Sequence, residues 1–204
     1  MTISPEEPKL KDSQEEGWKI LTEPHLTFVD LGFGYSLMVL IGEGFETDGA
    51  SVPKKLLYDN LYGKYVQDYL HKKYPKIGTR WDMETLWEFL IGKPWDMPRL
   101  LAAIVHDALY AYQWKCRLFC DMIYRKILIQ NEYDRIKADI EYMCISLVGW
   151  KHWKKVTDLK RDRTREIVKI ELVRTKKIPK IVARLKGYKK SKKLNSLLAS
   201  YSDI

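Results

Sequence analysis

The segment "WDMPRLLAAIVHDALYAYQ", residues 95–113, constrains this chain more than any other. At about 100° per residue, a helix over 98–113 puts Leu101, Ile104, Val105, Ala108 and Tyr112 in one sector. Arg99, Ala103, His106 and Tyr110 fall on the opposite side, with Asp107 at the edge. Asp96 is placed to cap the helix, and Pro98 is tolerated in a first turn. The second face is not an ordinary surface of Lys and Glu. A helix that is apolar on most sides is covered on most sides. The fold must therefore wrap this segment and must find partners for an imidazole and a carboxylate that are shielded from water.

The flanking sequence offers material for that wrapping. "WKILTEPHLTFVD" and "YSLMVLIGEGFETD" carry β-branched and aromatic residues broken by Gly and Pro, which predicts a small antiparallel sheet over residues 18–48. "SVPKKLLYDNLYG" (51–63) reads as a helix with Ser51 as its N-cap, Pro53 in its first turn and Gly63 as its stop. "WDMETLWEFLIGK" (81–93) reads as another. "KCRLFCDMIYRKILIQ" and "YDRIKADIEYMCISLVGW" follow as two more. The expected class is α+β: a small antiparallel sheet packed on a helical cluster, followed by a basic helical C-terminal tail. Residues 1–16 read as a flexible acidic arm, 17–157 as one α+β domain, and 158–204 as the basic helical or mobile tail. In that tail Ile178, Ile181, Val182 and Leu185 keep helical spacing, with a start or break at Pro179.

Charge divides the chain at about the same place. Residues 1–150 hold 18 Lys and Arg against 22 Asp and Glu, a net of −4. Residues 151–204 hold 18 against 5, a net of +13. The basicity belongs to the C-terminal quarter, where phosphates or other anions are the natural partners. No apolar run is long enough to span a bilayer, and the polar, acidic start lacks the pattern of a secretory signal. A cytoplasmic location is expected. Three Cys without a Cys-x-x-Cys pair predict reduced, structural thiols.

The carboxylate of "FETDGASVPKK", residues 45–55, has no local use that a Gly or Pro turn needs. We expect it to answer the polar face of 98–113. A second helix carrying Arg117 and Asp121 at i, i+4, joined to the first by a short turn, brings Asp121 toward His106. The turn around Ser51 brings in Asp48. The candidate catalytic set is His106, Asp107, Asp48, Asp121 and Tyr110, with Ser51 and Arg117 as binding residues. Asp48, His106 and Asp121 are the candidate ligands of a divalent metal, the one cofactor the residues suggest. Without metal, His106 is a general base oriented by Asp107 or Asp121. Against both stands a structural reading: Asp48 as an Asx-turn or cap, His106 as a satisfied core histidine, and Asp121 paired with Arg117 or Arg125.

"GFETDGASVP", "AAIVHDALY", "CRLFCD" and "LVGWKHW" occur in the order of motifs in a phage- and prophage-associated family, domain of unknown function 1353, which residues 22–153 resemble. The elements that carry the resemblance fall on Asp48, Ser51, Pro53, His106, Asp107, Tyr110, Arg117 and Asp121. The resemblance implies a phage or prophage origin and no particular reaction.

Two function classes remain open. One is a metal-assisted or general-base hydrolase using the Asp/His/Asp cluster. The other is a non-catalytic virion component (tail, connector or head-associated) that touches other virion proteins. Its basic tail would serve assembly or contact nucleic acid without reading sequence. In "WKHWKK", residues 150–155, Trp150 and Trp153 are expected to cover the end of the preceding helix rather than to stack on bases.

Overall fold

The computed structural model describes residues 8–14, 18–48, 68, 72 and 97–182. The helices expected at 51–63 and 81–93, with Ser51 and Pro53, and the chain beyond 182 lie outside the described residues. The architecture is α+β, with two antiparallel three-stranded sheets and a helical cluster.

Among the described residues up to 48 there are five strands: β1 (Leu10–Asp12), β2 (Lys19–Leu21), β3 (His25–Gly32), β4 (Tyr35–Ile41) and β5 (Glu46–Thr47). The first sheet has the order β1-β2-β5. Its β1 comes from the stretch expected to be a loose arm. Leu10 packs on the core and pairs with Leu21, and that contact holds the segment in the sheet. The helices follow as α1 (Met97–Tyr112), α2 (Arg117–Gln130), α3 (Arg135–Lys155) and α4 (Asp158–Ile167). Asp134 caps α3 by accepting from the Lys137 N–H, and Thr157 caps α4 by accepting from that of Lys160.

The region after 158 departs from the expected helical tail. It begins as α4, then becomes strand β6 (Val168–Arg174), which completes a second sheet of order β3-β4-β6. "VKIELVR" alternates apolar and charged residues, a period of two that a strand uses and a helix does not. β6 pairs with β4 from Tyr35↔Arg174 to Ile41↔Val168, so β4 is central. This explains why "LMVLI" is continuously apolar. Leu37, Val39 and Ile41 face the helices with Val29 and Val168, whereas Met38 packs on the other face with Ile181, Leu26 and Phe28. Ile178 and Ile181, on the helical turn that starts near Pro179, are buried as their spacing predicts. Each such side chain contributes about 1.5–3 kcal/mol when fully buried.

The outer edge of β3 is covered by a side chain. The Gln130 amide donates to the Phe28 carbonyl at 2.8 Å and accepts from the Asp30 N–H at 3.0 Å, imitating a strand neighbour. The helix α1 is buried around most of its circumference, from Arg99 to Ala111. It turns into α2 through Gln113 and Lys115, both in the left-handed region (φ 53° and 58°), and this tight reversal makes α1 and α2 antiparallel neighbours. Among the described residues no helix is long and apolar enough to cross a membrane.

Candidate active site

The α1–α2 hairpin brings together most of the expected cluster. Asp121 is wholly buried and surrounded by donors. Its Oδ1 accepts from His106 Nε2 at 2.9 Å and from the Tyr110 hydroxyl in a very short bond. Its Oδ2 accepts from Arg117 NH1 at 2.8 Å. An isolated buried carboxylate would be costly, and three charge-assisted or short bonds with a guanidinium beside it offset that cost. Arg117 also donates to the Ser146 carbonyl at 2.8 Å, which anchors the cluster to α3. Burial, and then the bond to Asp121, push the Tyr110 phenol far above its ordinary value, so it remains a donor.

His106 is held from several directions. The Tyr110 ring lies 4.1 Å away, centroid to centroid, and the Tyr124 ring meets it edge-on at 5.5 Å. With Nε2–H directed at Asp121, the neutral imidazole carries its lone pair on Nδ1. Nδ1 faces Asp107 Oδ1 at 4.0 Å, too far for a hydrogen bond and close enough for one bound atom to touch both.

Asp107 faces the opposite way from Asp121, toward the end of the first sheet. Its Oδ2 accepts from Thr47 Oγ1 at 2.6 Å, and it also accepts from the Asp48 backbone N–H. Burial and then repulsion from the Asp48 carboxylate raise its carboxyl well above the usual range, although its side chain keeps 27% of its exposure. Asp48 therefore acts through Asp107 rather than through Asp121. His106, Asp121, Tyr110 and Arg117 form one hydrogen-bonded unit, Asp107 and Asp48 form a second beside it, and Ser51 lies outside the described residues.

The donor set does not suit the expected divalent metal. His106 Nε2 and both Asp121 oxygens are committed to each other and to Tyr110 and Arg117. Among the described residues no group of three or more His, Cys, Asp or Glu side chains is arranged to hold an ion. The histidine at residue 25 is a core residue bonded to Thr27, not a second ligand. Burial pushes the Cys120 and Cys144 thiols up to about 12, so they are unreactive fillers.

Several residues that shape the site were not among the sequence candidates. Thr47 was visible as the residue before Asp48, but its reach to Asp107 depends on sheet pairing. Gly149 was visible in "LVGW". A Cβ on it would lie 2.2 Å from the Tyr110 hydroxyl oxygen, so only glycine lets α3 approach the Tyr110–Asp121 bond. The two tryptophans divide: Trp153 packs edge-on against Tyr110 at 5.2 Å, as expected of a helix-end cover, whereas Trp150 stays 47% exposed beneath Lys151 and Lys154.

Behind this cluster sits a second buried network. Glu141 accepts from the Tyr124 hydroxyl at 2.5 Å and from the Tyr133 hydroxyl at 2.6 Å. Arg99 Nε lies 3.0 Å from Glu141 Oε1, and both side chains are 1% exposed. Tyr124 belongs to both assemblies, since its ring also touches His106.

Comparison with family models, curated proteins and solved structures finds no match.

Proposed function

We propose that the chain is a general acid–base hydrolase of phage or prophage origin, with His106 as base and Asp107 as acid. One observation carries this reading: Asp121 holds His106 through Nε2 and leaves Nδ1 opposite a carboxyl that resists ionisation. Two adjacent titratable groups with different environments are how one site supplies both a base and an acid. The phage origin is supported by the order of the sequence motifs.

In this reading Nδ1 takes a proton from water as the water oxygen attacks an electrophilic centre. Asp121 stabilises the imidazolium, and Arg117 and Tyr110 keep the carboxylate aimed. Asp107 gives its proton to the leaving group. The imidazolium proton then crosses to the Asp107 carboxylate over the 4.0 Å gap, which restores both groups. No proton is gained or lost overall.

The test is hydrolysis of chromogenic phosphoester, acyl ester and glycoside substrates by the full chain across pH. Turnover of one class is expected, falling about 10²–10⁴-fold in His106→Gln and in Asp107→Asn. Wild-type rates equal to buffer on every class, or variants as fast as wild type, would refute the reading.

A second reading, a non-catalytic virion component, is favoured by the saturation of Asp121, whose bonds tie α1, α2 and α3 together as a structural pin would. It expects the chain in purified particles by mass spectrometry; absence there removes it. Its basic C-terminal segment would contact nucleic acid. Deleting residues 183–204 tests that contact and spares β6, which belongs to the sheet. Salt-sensitive DNA binding that survives the deletion would place the contact elsewhere.

A further inference from the structure

The turn between β3 and β4 reads Gly32-Phe33-Gly34, and all three residues have positive φ (84°, 54° and 77°). The glycines adopt this region freely, but an aromatic residue does not. Phe33 is nevertheless held there, and its side chain is fully exposed, at 101%. A large apolar group held fully exposed in an unfavourable backbone region adds nothing to the core, and it points to a contact outside the chain.

The surroundings indicate what that is. Tyr35 and Leu172, 40% and 58% exposed, lie on neighbouring strands toward the same end of the sheet, and they add exposed apolar surface below the tip. The segment after β6 is tied to the turn, because Thr175 N–H donates to the Gly34 carbonyl at 2.9 Å and the Thr175 and Ser36 hydroxyls lie 3.0 Å apart. Those two contacts bring the segment that carries Arg174, Lys176 and Lys177, all exposed, up to the turn. Of the acidic residues nearby, Glu171 pairs with Lys169 at 2.9 Å, and Asp30, which accepts from the Gly32 N–H, is one negative charge against the three cations.

We propose that this tip docks on the surface of a bilayer containing anionic lipid, with Phe33 entering the headgroup–acyl boundary and the three cations meeting lipid phosphates and carboxylates. A protruding aromatic with an amphipathic Tyr below it suits an interface that is apolar on one side and wet on the other. The three exposed cations complement an anionic leaflet. This inference is independent of the acid–base reading, because no residue of the tip belongs to the His106–Asp107–Asp121 site.

Co-sedimentation of the full chain with phosphatidylcholine vesicles, with and without phosphatidylserine, tests it. Binding is expected to require phosphatidylserine, to fall about tenfold in Phe33→Ala, and to fall about fivefold in each of Lys176→Ala and Lys177→Ala. Phe33→Trp should bind more tightly than wild type, which keeps the test open should the alanine variant fold poorly. Three results would overturn it. One is no phosphatidylserine-dependent binding. Another is binding that Phe33→Ala leaves unchanged, which would assign the attraction to other basic residues. The third is a Trp variant no tighter than wild type.

Discussion

Two buried polar networks lie side by side in the helical cluster, sharing Tyr124 as a wall. Around Glu141, both oxygens have partners, and Arg99 and Glu141 are sealed to 1% exposure. Around Asp121, the carboxylate is as deeply buried, but its partners are not sealed: His106 and Arg117 keep 11% and 20% of their side-chain exposure. One nitrogen of His106 is left over, facing a partly exposed acid. Both networks hold helices together. Only the second retains an uncommitted base at its outer side, so only the second has the makings of chemistry.

The sharpest way to break this comparison is at Glu141. Glu141→Ala removes the buried carboxylate beside the Arg99 guanidinium and leaves the Tyr124 and Tyr133 hydroxyls without their acceptor, and is expected to cost about 3–5 kcal/mol, measured by denaturant unfolding. If that variant unfolded at the same midpoint as wild type, the sealed network would not be structural. Asp121→Asn comes next. It keeps the shape but removes the charge that balances Arg117, and about 2 kcal/mol is expected. Its larger signature is kinetic: kcat should fall with little change in KM, because the amide no longer fixes the imidazole tautomer. A variant that lost stability and kept full turnover would reduce the Asp121 cluster to a pin.

Gly149 tests how closely α3 presses on that cluster. Gly149→Ala gains helix propensity, about 1 kcal/mol, but its methyl collides with the Tyr110 hydroxyl, so a net loss of about 1–2 kcal/mol is expected. Tyr110→Phe in the same chain should recover most of the loss, because the clashing oxygen is gone. Independent, additive effects in the double-mutant cycle would show that the two residues do not meet.

How much of this was legible follows from the range of each signal. The helical sectors of 98–113 showed a helix covered on both sides, and the i, i+4 spacing of Arg117 and Asp121 showed their pairing, because both depend on a few adjacent residues. The His106–Asp121 contact was legible as well, since a short turn leaves two helices little freedom. What failed was long-range. β6 was folded into a basic tail because Lys and Arg dominated a composition in which "VKIELVR" also alternates. Asp48 was expected in one cluster with His106, Asp107 and Asp121, but which member it meets was not legible: strand pairing of β2 with β5 delivers Thr47 and Asp48 to Asp107. No local pattern could announce that Glu141, on a helix two elements later, answers Arg99.

The smallest effect concerns pH and separates the outer acid from the inner one. Asp107 has a folded-state value above its unfolded value, so the native state holds the proton more tightly. Between those two values the folded chain binds more protons than the unfolded chain, and stability falls as pH rises, by at most about 1.4 kcal/mol per pH unit for one proton. Above the folded value the penalty is complete, and below the unfolded value it is absent. Asp107→Asn should therefore be more stable than wild type at neutral pH, with the difference shrinking to nothing as the solution is acidified, read as paired urea midpoints across pH. Thr47 can still donate to the amide oxygen, and any change in the Asp48 N–H bond adds a term that does not vary with pH, so the pH dependence of the difference reports the charge. A difference that stayed constant with pH would mean that Asp107 is ionised in the native state as readily as in the unfolded one. The acid half of the proposed site would then be lost, and the His106–Asp121 clasp would stand alone as a candidate base.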